Sequence, residues 1–194
     1  MPTEARKKKV RRVLSQRQPD LRVILEDVKN THNASAVTRT CDAAGIMHID
    51  VISDAEKPLP INEAISTRAD KWVHIRYYPD PGTCFLPLKK EGFQIVATHI
   101  SPDALPFNQI DFTQPTAVVF GNEAGGLSKE ALAFADHRIK IPMFGMAQSL
   151  NLSVAVGIIL YEAVRQRTAK GYFKKQRLKE DEYEKYYKDW LKLS

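Results

Sequence analysis

The feature that most limits what this chain can fold into is a pair of strand–glycine loop–helix units, one directly after the other, in its last third. The first reads Val118-Val119-Phe120-Gly121-Asn122-Glu123-Ala124-Gly125-Gly126-Leu127-Ser128. The second reads Ile139-Lys140-Ile141-Pro142-Met143-Phe144-Gly145-Met146-Ala147-Gln148-Ser149-Leu150-Asn151. In each, a short apolar run gives way to glycine and small polar residues, then to an apolar period of helical spacing. Such turns present backbone N–H and C=O groups at the carboxyl ends of strands, where open α/β sheets bind small ligands. Two of them this close in the chain could close on one ligand from two sides.

The remaining pattern supports the same architecture. Strands are expected at 21–25, 46–52, 72–78, 93–99, 116–120 and 139–143. Helical spacing links Val10, Val13 and Leu14, then Ala34, Val37, Cys41 and Ala44, the latter ended by Gly45. Further helices are expected over 83–90, across Pro87, and over 129–135, with Ser128 as N-cap. Leu152, Ala155, Val156, Ile159, Leu160 and Ala163 mark the longest helix. Gly171 breaks the chain before a last helix carrying Tyr183, Tyr186, Tyr187 and Trp190. Alternating strands and helices predict an α/β fold, a mainly parallel sheet covered by helices on both faces. At 194 residues the chain suits one domain, or one domain with an appendage.

No apolar run approaches a membrane span, and the basic stretch 1–17 lacks the apolar segment of a secretory signal. Cys41 and Cys84 form no disulfide framework. A reducing, cytoplasmic setting without membrane attachment follows. The formal charge of +6 is unevenly placed: residues 1–17 hold seven bases and one acid, and residues 165–194 hold ten bases and five acids. The stretch between them holds twelve bases and seventeen acids. Basic ends on an acidic body suggest a polyanion held by the termini, nucleic acid first, with solvated charged helices as the plain alternative.

Neither glycine loop carries a phosphate signature. The first lacks the Gly-Lys-Ser/Thr ending of a P-loop and the GxGxxG pattern of a dinucleotide site. Its Glu123 would repel phosphate and suit an amine, a sulfonium or a hydroxyl donor. The second holds Gln148, Ser149 and Asn151 among apolar residues, more polar groups than one helix cap requires. Arg39, within Ala36-Val37-Thr38-Arg39-Thr40-Cys41, projects from a different helix face than Val37 and Cys41. It is either a surface arginine or a phosphate or transition-state contact. Asn33 could cap that helix. The five histidines have no zinc-ligand spacing, so no metal is expected, and no Ser-His-Asp order stands out.

Three segments in register, Asn33–Gly45, Val119–Ser128 and Ile141–Ala155, resemble the SpoU branch of the SPOUT RNA methyltransferases. The opening Arg17-Gln-Pro-Asp20 and the compact N-terminus are most similar to the members that methylate guanosine 18 in the tRNA D-loop. Asn30-Thr31 departs from the family, where a histidine or lysine followed by proline is more usual. The resemblance implies a SPOUT fold with a deep C-terminal trefoil knot, S-adenosylmethionine as methyl donor, tRNA as substrate, and a homodimer. It implies a basic helical extension over 1–18, a methyltransferase domain over 19–167 with its knot in about 95–165, and a helical extension over 168–194. Arg39 would be the catalytic arginine, positioned by Asn33, with Glu123, Ser149 and Asn151 shaping the site. Thr98, His99, Gly121, Asn122, Glu123, Ile141, Met146 and Leu150 would bind the cofactor. The RNA would meet Arg6, Lys7, Lys8, Lys9, Arg11, Arg12, Arg39, Arg165, Lys174 and Lys175. Methylation of ribosomal RNA or of the tRNA wobble nucleotide, and a non-catalytic RNA-binding role, are the competing readings.

Overall fold

The computed structural model describes residues 2–53 and 58–193. Seven strands in the described residues form one sheet: β1 (Leu21–Glu26), β2 (His48–Ile52), β3 (His74–Tyr78), β4 (Gln94–Thr98), β5 (Leu105–Pro106), β6 (Thr116–Phe120) and β7 (His137–Lys140). Their order is β3-β2-β1-β6-β4-β7-β5, and every pairing is parallel. The helices are α1 (Glu4–Ser15), α2 (Thr31–Ala43), α3 (Glu63–Ser66), α4 (Pro81–Lys90), α5 (Lys129–Phe134), α6 (Leu152–Ala169) and α7 (Glu180–Lys192).

The central strands β1 and β6 are buried at every position, which is why residues 23–25 and 117–120 read as apolar runs rather than alternating ones, with the charged Arg22 and Glu26 buried beside them in β1. One face of the sheet packs Leu21, Val23, Leu25, Val118 and Phe120 against Val37 and Cys41 of α2 and Val156, Ile159 and Leu160 of α6. The other face packs Ile24, Ala117 and Val119 against Cys84, Phe85 and Leu88 of α4 and Ala131 of α5. Cys41 and Cys84, one under each layer, are free and buried.

Strand order brings the two glycine loops together. β6 lies between β1 and β4, and β7 lies between β4 and β5. The strands feeding the loops are therefore separated by β4 alone, roughly 10 Å at the usual interstrand spacing.

Several boundaries differ from the sequence reading. β7 spans His137–Lys140 rather than 139–143, because its neighbour β5 ends at Pro106 opposite Lys140 and Pro142 has no N–H to donate. The two-residue β5 falls between the strands expected at 93–99 and 116–120, where no element is expected; it is too short to carry a periodicity. α2 starts at Thr31, because Asn30 caps it by accepting from the backbone N–H of His32 (2.9 Å) and Asn33 (3.1 Å). Asn33 therefore lies inside the first turn and is not the cap. α4 does run through Pro87, with Pro81 in its first turn and the Asp80 carboxylate accepting from Thr83 N.

The two chain ends meet. Val10 and Leu14 of α1 share a third apolar cluster with Met47, Leu178 and Trp190. The Arg6 guanidinium donates to the carbonyls of Trp190 and Leu193. This helical layer lies at the amino ends of the strands: Trp72, just before β3, sits 5.2 Å from Trp190, and His74, its first residue, sits 4.7 Å from Tyr186.

Candidate active site

At the opposite, carboxyl end of β4, β6 and β7 lies a cavity of about 720 Å³, within the range of small-molecule sites. Its walls are Thr98 at the end of β4 with His99 and Ile100 after it, the loop Gly121–Gly126 after β6, and residues 141, 143 and 148–151 after β7. Ala155 and Ile159 of α6 close it. The two loops predicted to face one ligand form its two sides.

The first loop is built around glycine. A Cβ on Gly121 would lie 2.3 Å from the Gly126 carbonyl, so no other residue fits there. Asn122 and Gly126 exchange backbone hydrogen bonds of 3.1 and 2.8 Å, and Gly126 closes the turn at φ +67°. The Asn122 side chain accepts from Ala124 N (2.7 Å) and donates to the Asp27 carbonyl (2.8 Å). The buried Glu26 carboxylate, at the end of β1, accepts from Ser128 N (2.9 Å) and Ser128 Oγ (2.6 Å). Glu26 and Asp27 are positioning residues that the sequence reading missed; a buried acid ending an apolar strand was the available signal.

The second loop has a different construction. Residues 142–150 make no backbone hydrogen bond in the described structure, leaving N–H and C=O groups beside the apolar walls. Lys140, also missed, donates to the carbonyls of Ser101 (2.9 Å) and Pro102 (3.4 Å) and so ties the segment after β4 to β7. Thr98 donates to the Val119 carbonyl (2.9 Å), coupling β4 to β6.

A polar chain crosses the mouth of the cavity. Asn33, 6% exposed, donates from Nδ2 to Glu123 Oε1 at 2.5 Å. Its Oδ1 accepts from Asn151 Nδ2 at 2.9 Å. Asn151 is also the N-cap of α6, its Oδ1 accepting from Ser153 N. Asn33 thus uses both ends of its amide to join α2 to the two glycine loops. Ser149 lines the cavity but caps nothing.

Of the expected cofactor residues, Thr98, His99, Gly121, Asn122, Glu123, Ile141 and Leu150 line the cavity. Met146 does not: its side chain is 100% exposed and points to solvent. Arg39 also stays off the lining, exposed on the middle of α2, its side chain making no hydrogen bond or ion pair in the described structure. Among the expected RNA contacts, Lys8, Lys9, Arg11, Arg12, Lys174 and Lys175 are exposed. Arg6 is engaged with the end of α7, Lys7 pairs with Glu4 at 2.6 Å, and Arg165 is held bidentately by Glu162. No cluster of His, Cys, Asp or Glu suited to a metal occurs among the described residues, and no described helix is long and apolar enough to cross a membrane.

A parallel sheet whose two glycine loops wall one cavity at the strand ends, joined by a helix-borne asparagine, defines an α/β protein with a small-molecule-sized site. The chain belongs to the SpoU rRNA methylase family, whose profile matches residues 20–161. It is 47% identical over 190 residues, 98% of this chain and 97% of the relative, to tRNA (guanosine(18)-2'-O)-methyltransferase of Thermus thermophilus. The crystal structure of the Aquifex aeolicus TrmH/SpoU tRNA modifying enzyme superposes with a TM-score of 0.92 at 48% identity, covering 97% of this chain and 95% of that one. AviRb from Streptomyces viridochromogenes, solved in complex with AdoMet, superposes at TM-score 0.70 and 29% identity, covering 80% of this chain and 61% of that one.

Proposed function

We propose that this chain transfers a methyl group from S-adenosylmethionine to the ribose 2′-hydroxyl of guanosine 18 in tRNA. The observation that carries the reading is the Asn33–Glu123–Asn151 chain at the cavity mouth, supported by near full-length similarity to enzymes named for that reaction. The cavity suits the donor. Unpaired main-chain groups around Ile141 and Leu150 match the hydrogen-bonding edge of adenine, and the Glu123 carboxylate favours a cationic ligand. When bound, S-adenosylmethionine supplies an electrophilic methyl on a sulfonium.

The chain's own work is to align and polarise. In the transfer the 2′-oxygen would bond to the methyl carbon as the carbon–sulfur bond breaks, leaving a neutral thioether, and the hydroxyl proton would pass to solvent water. Holding the hydroxyl in line with the methyl accounts for the larger share of the rate. Asn33, Glu123, Ser149 and Asn151 shape the place where the ribose sits. Arg39 lies outside the cavity lining, so its exposed guanidinium is assigned to an RNA phosphate and, with that RNA bound, to the developing 2′-oxyanion. Its proton stays on, since a guanidinium does not deprotonate in proteins. Arg39→Lys retaining most of kcat would remove any role for the planar fork.

The same reading includes a trefoil knot in about 95–165, and a homodimer. The second is supported by an apolar stripe on α6, where Val154 and Tyr161 are exposed with Ile158 between them at helical spacing, and by Phe144, 97% exposed. Sedimentation of wild type and Tyr161→Asp checks it: the variant is expected as monomer.

Incubating the protein with labelled S-adenosylmethionine and unmodified tRNA, then mapping the methyl by nuclease digestion and mass spectrometry, tests the assignment. Transfer at guanosine 18 is expected. No transfer to any tRNA would overturn the tRNA reading, and transfer elsewhere would keep the chemistry but discard the nucleotide.

A further inference from the structure

The terminal helices enclose a second, smaller cavity of about 200 Å³, walled by Val10, Val13, Trp72 and Trp190, with Arg6 and Lys9 at its edge. Asp42 also borders it, its carboxylate paired with the buried Arg17. Trp190 is held in place: the Arg17 guanidinium lies 5.1 Å from its ring centroid on one side, and Trp72 meets it edge-on. Trp72 itself is half-buried. On α1 the exposed Lys9 stands free at this edge, whereas Arg6 is held by the Trp190 and Leu193 carbonyls.

An aromatic, apolar slot with a free lysine at its rim matches a nucleobase attached to a phosphate. Unpaired bases stack on aromatic rings while lysine and arginine hold the backbone. A purely apolar peptide side chain would gain nothing from that rim. The slot also lies at the amino ends of the strands, away from the cavity at their carboxyl ends. A five-residue strand is about 17 Å long, so a nucleotide seated here is not the one whose ribose is methylated.

We infer that the slot between α1 and α7 binds one unpaired base of the substrate RNA, a second anchor that selects which RNA is accepted. The inference rests on the RNA methyltransferase reading and adds a site to it. Both tryptophans of the chain lie at the slot, so intrinsic fluorescence reports on it directly.

Titration with unmodified tRNA is expected to quench wild-type fluorescence. Val13→Phe, which fills the slot, should abolish the quench. Trp72→Ala should raise the Kd for tRNA about tenfold, within the range for loss of one base–aromatic stack, and Trp72→Phe should recover most of it. The change should fall on KM rather than kcat, with S-adenosylmethionine affinity unaltered. Tertiary structure is followed by near-UV circular dichroism, and Val13→Phe provides a filled-slot variant with every aromatic retained. Unchanged tRNA affinity in both Val13→Phe and Trp72→Ala would overturn the inference and leave the layer purely electrostatic. If wild type binds tRNA through the slot yet transfers no methyl, the slot stands and the catalytic reading falls.

Discussion

Asn33 shows how much one side chain can decide. Its amide donates to Glu123 and accepts from Asn151, a pair of bonds no carboxylate can make. Asn33→Asp would set a second carboxylate against Glu123 where a donor is required. We expect kcat to fall about a hundredfold through misplacement of the site, with S-adenosylmethionine affinity, by calorimetry, changed far less. An equal loss in both would mean that the chain serves only the cofactor. His48 illustrates a different residue-scale effect. Burial first, then the Arg76 and Arg22 guanidiniums, push its imidazole down to about 3. The unfolded chain binds this proton near pH 6.5 and the folded chain does not. The neutral ring's contribution is therefore complete above pH 6.5 and is lost as pH falls from there toward 3. His74 shifts in the same direction, again chiefly by burial. Urea midpoints at pH 7.5 and 5 should show stability falling by about 2 kcal/mol on account of His48, a drop that His48→Gln removes.

At the level of elements, buried arginines act as staples. Arg167, fully buried at the end of α6, donates all five N–H groups. They go to Phe112 O, Gln18 Oε1, Asp20 Oδ1, Asp20 O and Gln114 O, fastening α6 to the segments that open β1 and β6. Although burial alone would raise the Asp20 carboxyl, Arg167 and Arg177 hold it below the ordinary range. Arg167→Met strips these partners, and denaturant unfolding should show a loss of about 3–5 kcal/mol, the usual cost of breaking a buried ion pair. At the first glycine loop, Gly121→Ala forces a methyl onto the Gly126 carbonyl. S-adenosylmethionine binding by calorimetry should be lost while far-UV circular dichroism stays near wild type. Legibility in the sequence followed length. β6 and α6 announce themselves by long apolar runs and strong caps, whereas β5 and the early end of β7 are set by the neighbour each strand finds. Asn33 read as a cap because Asn30 and Asn33 are equally plausible caps until the chain chooses.

For the molecule as a whole, the structure revises what the charge distribution means. Of the bases concentrated at the two ends, Arg17 and Arg167 are fully buried and Arg177 is paired with Asp20. Any attraction for RNA would come from the exposed lysines and arginines of the one packed layer that the two ends form. Removing residues 1–17 would uncover Trp190 and Leu178 as well as delete charge, so neutralisation is the cleaner test. Lys8→Ala with Arg12→Ala should lower the slope of log affinity against log salt by roughly one for each phosphate no longer neutralised, measured by tRNA binding at several salt concentrations. An unchanged slope would place the RNA elsewhere. By itself the sequence determined the parallel α/β class, the two glycine loops and the residue types of the site, because periodicity, glycine and capping act over a few neighbours. Only the tertiary structure decided that Asn33 reaches both loops, that Met146 faces solvent, and that the ends join at the far end of the sheet. Those facts depend on strand order and on contacts between residues more than a hundred positions apart, as from Asn33 to Asn151, and no local pattern encodes them.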